Sequence, residues 1–355
     1  MANISLAGKT VLITGAAGFI GANLVRALLT RETDVRVVGI DNLNDYYDVG
    51  LKESRLAGLR DLPGAKRFLF RKGDISDRET LRSVFSAYEP QLVVNLAAQA
   101  GVRHSIDHPD DYVQSNLIGF YEVLEACRHS RDAGGRGVEH LVYASSSSVY
   151  GSNKKIPYAT EDPVDHPVSL YAATKKSNEL LAHAYGKLYG IPCTGLRFFT
   201  VYGPAGRPDM AYFGFTDKLR RGETIEIFNY GNCWRDFTYI DDIIAGICSV
   251  MKRTPEGTED GVPYKIYNIG NSHPERLLDF VDILQQELVA AQVLPADYDF
   301  EGHKRLVPMQ PGDVETTYAD VGELERDFGF RPCTPLREGL RAFARWYGAY
   351  YGCSK

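Results

Sequence analysis

Apolar residues along the chain alternate between two spacings. KTVLIT (9–14) is a short, β-branched apolar run, and GFIGANLVRALLTRE (18–32) then repeats its apolar residues at helical spacing. The alternation continues through VRVVGID (35–41), RFLFRKGD (67–74), the helical RETLRSVFSAY (78–88) and QLVVNLAA (91–98). It resumes in the helical SNLIGFYEVLEACRHS (115–130), EHLVYASS (139–146), the long helical YAATKKSNELLAHAYGKLYG (171–190) and CTGLRFF (193–199). Apolar strands separated by helices predict an α/β fold of Rossmann type, a doubly wound parallel sheet with helices on both faces. The stretch 41–56 reads as a loop. Beyond residue 200 the pattern loosens into loops with Gly and Pro (YGPAGRPDM, NYGNCWRD, MQPGD) and short helices between them. We expect a first domain over 1–200 with a return over about 231–271. A smaller lobe is expected over about 201–230 and 272–355.

Composition narrows the function classes. Of 355 residues, 44% are hydrophobic and 24% charged, an ordinary globular balance with enough chain for a large core. The net charge of −6 carries no basic bias, so neither nucleic acid nor an anionic membrane surface is an expected partner. Cys127, Cys193, Cys233, Cys248, Cys333 and Cys353 are scattered without metal-ligand spacing, which predicts no metal site and free thiols in a reducing compartment. The N-terminus runs straight into a strand without the pattern of a secretory signal, and no apolar run is long enough to span a bilayer. These features predict a soluble, cytoplasmic protein.

GAAGFIG (15–21) lies directly after the first strand and directly before a helix. Gly15 and Gly18 allow a pyrophosphate to approach the backbone, Gly21 allows the helix to pack on the strand, and the helix N-terminus offers unpaired N–H groups. A ligand-free glycine turn is the alternative. Asp41 decides against it: it closes the second strand roughly twenty residues further on, where a carboxylate binds a ribose diol. A 2′-phosphate would face that charge, so NAD is expected rather than NADP. Asp74, after the third strand, is a candidate for a turn cap or for a bond to the adenine amine. Asn116 is a candidate for a helix N-cap or a cofactor contact.

YAATK (171–175) places Tyr171 and Lys175 four residues apart on one helix face. A lysine beside a phenol lowers the phenol's pKa and makes it a general base for an alcohol. ASSSSVYG (144–151) puts four hydroxyls, Ser145 to Ser148, at the end of the fifth strand.

With GxxGxxG, SSVYG, YxxxK and RFFTVYGP in that order, the chain resembles the extended short-chain dehydrogenase/reductase family over nearly its whole length. The resemblance implies tightly bound, catalytic NAD, with Tyr171 taking the proton of a sugar hydroxyl and Ser146 bonding that oxygen. Lys175 would hold the nicotinamide ribose. Phe19, Ile20, Asn42, Ile75 and Ala97 complete the expected cofactor-binding set. DNLNDYYDVGLKESRL (41–56), AAQAGVRHSI (97–106), FFTVYGPAGRPDMAYF (198–213) and MQPGDV (309–314) are together similar to the UDP-glucuronate 4-epimerases within that family.

That resemblance implies a UDP-hexuronic acid substrate, oxidised and re-reduced at C4. A 4-keto hexuronate is a β-keto acid that loses CO₂ readily. Related decarboxylases and dehydratases carry an acid two positions after the catalytic Ser/Thr, where this chain has Ser148. Ser147 and Ser148 are instead expected to bond the substrate carboxylate, with Ser145 structural. Thr200 and Arg207 are further candidates for that carboxylate, against a packed strand end and a surface arginine. At the nucleotide end the resemblance implies Arg235 at the diphosphate, Phe228 on uracil, Lys218 near the nucleotide and Asp313 near the uridine ribose. Arg103 is a candidate for the sugar or diphosphate, or a solvated loop charge. Gln310 stands where relatives carry arginine. A homodimer through helices 115–130 and 171–190 is expected. The rival readings are a decarboxylase, an epimerase of neutral UDP-sugars and a non-catalytic NAD-binding regulator.

Overall fold

The computed structural model describes residues 1–257, 260–310 and 314–353. The strands that build the fold are β1 (Lys9–Thr14), β2 (Val35–Asp41), β3 (Phe68–Lys72), β4 (Leu92–Asn95), β5 (His140–Ser146) and β6 (Cys193–Phe198). After them come β7 (Thr200–Tyr202), β8 (Ile225–Ile227), β9 (Trp234–Tyr239), β10 (Tyr264–Ile269), β11 (Pro274–Arg276) and β12 (Lys304–Leu306). Among the described residues a seven-stranded parallel sheet runs in the order β10-β6-β5-β4-β1-β2-β3. The order reverses between β1 and β4, and the carboxyl ends of strands at such a switch point open a crevice for a ligand.

The central strands are buried on both faces, which is why they read as continuous apolar runs. Val11, Ile13, Val37 and Val94 face one apolar cluster; Leu12, Val38, Val93 and Leu141 face another. Helix α1 (Phe19–Arg31) covers the first with Leu24, Val25 and Leu28. Helix α2 (Val49–Arg60) lies within the stretch expected to be a loop. Asp48 caps it by accepting from Gly50 N at 2.9 Å, and Leu51 and Leu59 are buried. Gly50 and Gly58 weaken its helical signal, and packing overrides them. Helix α3 (Arg78–Tyr88) follows. A helical stretch from Pro109 then runs through a π turn (Val113–Ile118) into α4 (Gly119–Arg128).

Helix α5 (Leu170–Tyr189) starts at Ser169, whose hydroxyl accepts from Ala172 N at 3.1 Å, and ends at Gly190 in the left-handed conformation. A buried ion pair anchors it to the sheet. Arg197 of β6 donates from Nε and Nη2 to Glu179 at 2.8 and 3.0 Å, and both side chains are at most 2% exposed. Breaking such a pair costs about 3–5 kcal/mol, so the position of α5 is firmly set.

The smaller part of the molecule has its own apolar cluster, with Phe213, Phe237, Phe280, Phe343 and Tyr347 among its members. It is built from α6 (Ala211–Arg220), α8 (Leu277–Ala290) and α10 (Leu336–Tyr350), together with the three-stranded sheet β11-β9-β7 and the pair β12-β8. Two segments depart from the expected boundaries. Strand β9, expected with the first domain, pairs with β7 and β11 and puts Phe237 into the second cluster. Helix α9 (Gly322–Phe328), expected in the second lobe, lies beside β10 and puts Leu324 into the first cluster. Helix α7 (Ile240–Val250), in the segment expected to return to the first domain, packs on α1.

Candidate active site

A cleft of about 1040 Å³ runs from the β1–α1 turn, past the ends of β5 and α5, to the small sheet. At its first end, Gly15 has φ +68°, and a Cβ there would lie 2.8 Å from Ala97 N. A Cβ on Gly21 would sit 2.1 Å from Gly15 O. The turn therefore closes only with glycine at both places. No side chain caps α1, so its first N–H groups stay available to an anion. Asp41 Oδ2 accepts from Ala17 N at 3.0 Å and Oδ1 from Leu43 N at 2.9 Å, which fixes the carboxylate at the cleft wall. Gln99 Nε2, also on the cleft, is buried without a protein partner. A bare glycine cradle, an open helix end, a fixed carboxylate and an orphaned donor together fit a dinucleotide.

Phe19, Ile20, Asn42, Asp74, Ile75 and Ala97 line the same end. Asp74 serves as a turn cap, accepting from Ser76 N at 2.8 Å and Ser76 Oγ at 2.7 Å. Asn42 Nδ2 donates to its other oxygen at 2.8 Å. Burial opposes its ionisation, but these bonds prevail and hold its pKa below the usual carboxylate value. Asn116 is placed differently from expectation. It is neither an N-cap nor a wall residue. It sits inside the π turn with its amide consumed, accepting from Gln99 N at 2.8 Å and donating to Gln99 O and Thr174 Oγ1 at 3.0 and 3.1 Å. It ties the loop after β4 to α5.

The four serines divide. Ser145 is buried and donates to Glu179 Oε1 at 2.7 Å, inside the ion-pair network. Ser146 faces the cleft, where its hydroxyl donates to Ser148 Oγ and accepts from Ser148 N, both at 3.2 Å, and Tyr171 lines the cleft with it. Ser147 and Ser148 also line the cleft. Lys175, 3% exposed, donates to Ala144 O at 3.0 Å; burial, then the charge of Arg207, brings its pKa down to about 8. The Tyr171 phenol is shifted up rather than down. Burial raises it, and the Ser146 hydroxyl and the Arg207 charge only partly offset that. Lys175 Nζ lies 6.0 Å from the Tyr171 ring centroid and is bonded elsewhere, so the resting side chain is a phenol.

Next to Tyr171 stands a charged group that sequence reading found only in part. Arg207 faces the cleft and donates to both oxygens of Asp209, Nε to Oδ1 at 3.0 Å and Nη2 to Oδ2 at 2.6 Å. The Tyr46 hydroxyl donates to Asp209 Oδ2 at 3.2 Å. Burial works against the Asp209 charge, but Arg207 prevails and keeps the carboxyl below its ordinary pKa. Thr200, at the start of β7, also lines this part. Asp209, Tyr46 and Lys52 were not expected at the site, nor Arg55 buried behind it. Asp209 and Tyr46 stood within quoted stretches, but their meeting depends on a long-range contact. Lys52 and Arg55 were hidden by reading α2 as a loop.

At the far end, the Arg103 guanidinium lies 5.1 Å from the Phe228 ring centroid, and both line the cleft with Lys218. Arg235 lines it too while donating to Trp234 O and Glu315 O at 3.0 and 2.9 Å. Among the described residues Gln310 Oε1 is buried there without a partner. Asp313 lies outside the described residues. At the rim, His104 and His108 stack at 4.2 Å and Asp111 lies 3.5 Å from His104 Nε2, an imidazole–carboxylate cluster facing solvent.

The profile of the NAD dependent epimerase/dehydratase family matches residues 11–270. Protein CapI of Staphylococcus aureus is 46% identical over 352 residues, covering 96% of this chain and 99% of that protein. UDP-glucuronate 4-epimerase 4 of Arabidopsis thaliana is 44% identical over 358 residues, covering 98% of this chain and 77% of that protein. The crystal structure of UDP-glucuronic acid 4-epimerase from Bacillus cereus, in complex with UDP-glucuronic acid and NAD, superposes with a TM-score of 0.81. It is 32% identical, and the alignment covers 96% of this chain and all of that one.

Proposed function

The chain belongs to the NAD dependent epimerase/dehydratase family, and from that premise we propose that it interconverts UDP-glucuronate and UDP-galacturonate through a 4-keto intermediate without loss of CO₂. The carrying observation is the meeting of Ser146 and Tyr171 with Arg207, Thr200, Ser147 and Ser148 around one end of the cleft. The first pair addresses an alcohol; the others address a carboxylate.

NAD, when bound at the glycine turn, supplies the hydride acceptor and donor. Ser146 bonds the C4 oxygen, and Tyr171, in the phenolate form that the cationic Lys175 and Arg207 beside it favour once the cleft is filled, takes the C4 hydroxyl proton on oxidation and returns it on reduction. Lys175 is cationic at neutral pH, and with one proton committed to Ala144 O it keeps others for a ribose diol. Arg207 and the hydroxyls of Thr200, Ser147 and Ser148 hold the substrate carboxylate off the axis of the C4 carbonyl π system, which suppresses decarboxylation. Asp209 does not act as a free base, because Arg207 binds both its oxygens and Tyr46 donates to one of them. Phe228, Lys218 and Arg235, in a lobe built around the second apolar cluster, and Arg103 from the loop after β4 are read as the uridine diphosphate end.

A homodimer is part of this reading. Leu180 and Leu188 on α5 are 60% and 69% exposed, and Val113 and Ile118 beside them are each 41% exposed. Side chains of that kind on adjacent helices favour burial against a second copy. Cytoplasmic residence is supported by six unpaired cysteines, and no helix among the described residues is long and apolar enough to cross a membrane.

Incubation of the protein with UDP-glucuronate and no added NAD tests the reading. UDP-galacturonate should accumulate toward equilibrium with little CO₂. A UDP-pentose with stoichiometric CO₂ would establish a decarboxylase. Turnover of UDP-glucose but not UDP-glucuronate would establish a neutral-sugar epimerase.

A further inference from the structure

Arg55 stands on α2 at the seam between the two ends of the cleft. It is 6% exposed, and its guanidinium reaches in two directions. Nη1 donates to Ala17 O in the glycine turn at 3.1 Å and to the Tyr47 hydroxyl at 2.7 Å. Nε donates to Ala205 O at 2.9 Å and Nη2 to Gly206 O at 2.8 Å, in the loop that leads into Arg207. These partners are three carbonyls and a phenol. The charge is spent on fixing backbone, at the desolvation cost any buried guanidinium carries.

Both loops need outside support. Ala205 has φ +54°, a left-handed conformation that a residue with a Cβ seldom takes. A Cβ on Gly206 would lie 1.8 Å from the Tyr212 hydroxyl oxygen, so the loop is also pressed against α6. On the other side, Ala17 N donates to Asp41. A continuous path thus runs from Asp41 through Ala17, Arg55 and Gly206 to Arg207. Only a planar fork of donors reaches both loops at once; a lysine offers one compact head on a flexible stem.

We propose that Arg55 is a positioning residue that locks the glycine turn of the cofactor end to the loop carrying Arg207, and so couples cofactor binding to the grip on the substrate carboxylate. The proposal rests on the UDP-hexuronate reading for the identity of the group that Arg207 grips. Such coupling is reciprocal at equilibrium.

NAD-loaded wild type is compared with Arg55→Met and Arg55→Lys. Amide hydrogen exchange without UDP-sugar reports the geometry alone. Arg55→Met should exchange faster both at 15–18 and at 203–207, with the other strands of the large sheet protected as in wild type. With UDP-glucuronate, KM should rise roughly tenfold, within the usual range of coupling between sites. Inhibition by UDP, which has no uronate carboxylate, should stay unchanged, and a larger share of turnovers should end in CO₂. Arg55→Lys should fall between, and it carries the same readouts should Arg55→Met not fold. Exchange rising at only one loop would overturn the proposal. So would faster exchange at both loops with KM and the CO₂ share at wild-type values, or KM and UDP inhibition rising together. If wild type does not turn over UDP-glucuronate, the substrate reading fails, and the exchange result alone decides whether Arg55 joins the two loops.

Discussion

At the cofactor end of the cleft, the glycine turn comes from one strand, turn and helix, Lys9–Thr14 to Phe19–Arg31, with Asp41 supplied by the adjacent strand and Asp74, Ala97 and Gln99 completing the wall. At the sugar end, Tyr46, Ser146, Tyr171, Thr200, Arg207 and Asp209 converge from separate segments, and the Tyr46–Asp209 bond joins residues 163 positions apart. The first end is backbone, shaped by what glycine permits. The second is side chain, shaped by where α5, β5 and the 203–209 loop are held. On the proposed function, substrate choice belongs to the second end, where side chains face the cleft.

This difference can be broken by substitution. Tyr171→Phe should have the largest effect, lowering kcat about 10³-fold, the scale of a lost general acid–base, while NAD binding persists. Loss of NAD in that variant would mean the two ends are not separable. Lys175, which belongs to both ends, predicts a pH dependence. Its pKa in the folded chain is about 8, below the ordinary 10.5, so between those values the unfolded chain binds more protons. Stability therefore rises with pH across that window. Relative to Lys175→Met, NAD-free protein should gain about 2 kcal/mol between pH 8 and 10, read by urea denaturation. A flat difference would mean that Lys175 is not desolvated.

Arg207→Lys keeps a charge beside Asp209 but loses the fork. KM for UDP-glucuronate should rise roughly 10- to 100-fold, the value of a charged hydrogen bond, with more CO₂ among the products and NAD affinity unchanged. Ser145→Ala should have the smallest effect. It removes one bond to Glu179, costs about 1 kcal/mol of stability and leaves kcat near wild type. A large loss of activity there would move Ser145 into the chemistry.

The backbone end was the more legible part in the sequence. The strand–GAAGFIG–helix register and Asp41 follow from local spacing, and the parallel sheet follows from the buried strands. Long-range contacts were harder to read. Helix α2 was hidden by Gly50 and Gly58, and with it Lys52 and Arg55. Asp209 carries no local sign of its partnership with Tyr46. Strand β9 looked like part of the returning chain, because only its pairing with β7 and β11 assigns it to the small sheet. Asn116 offered the two readings expected of an asparagine near a helix start, and a π turn supplied a third. For Tyr171 and Lys175, spacing gave the pair, but the downward shift expected of the phenol is the opposite of the one found. Spacing carries no measure of burial, and burial is the larger influence.

The central claim is that hydride leaves C4 of the hexuronate and returns to the same carbon while the carboxylate stays in place. UDP-glucuronate deuterated at C4 tests it most directly, with the product analysed by NMR and mass spectrometry. UDP-galacturonate should retain deuterium at C4, with no solvent hydrogen incorporated at C5. Loss of the label to water, exchange at C5, or deuterium found in a pentose alongside CO₂ would contradict it.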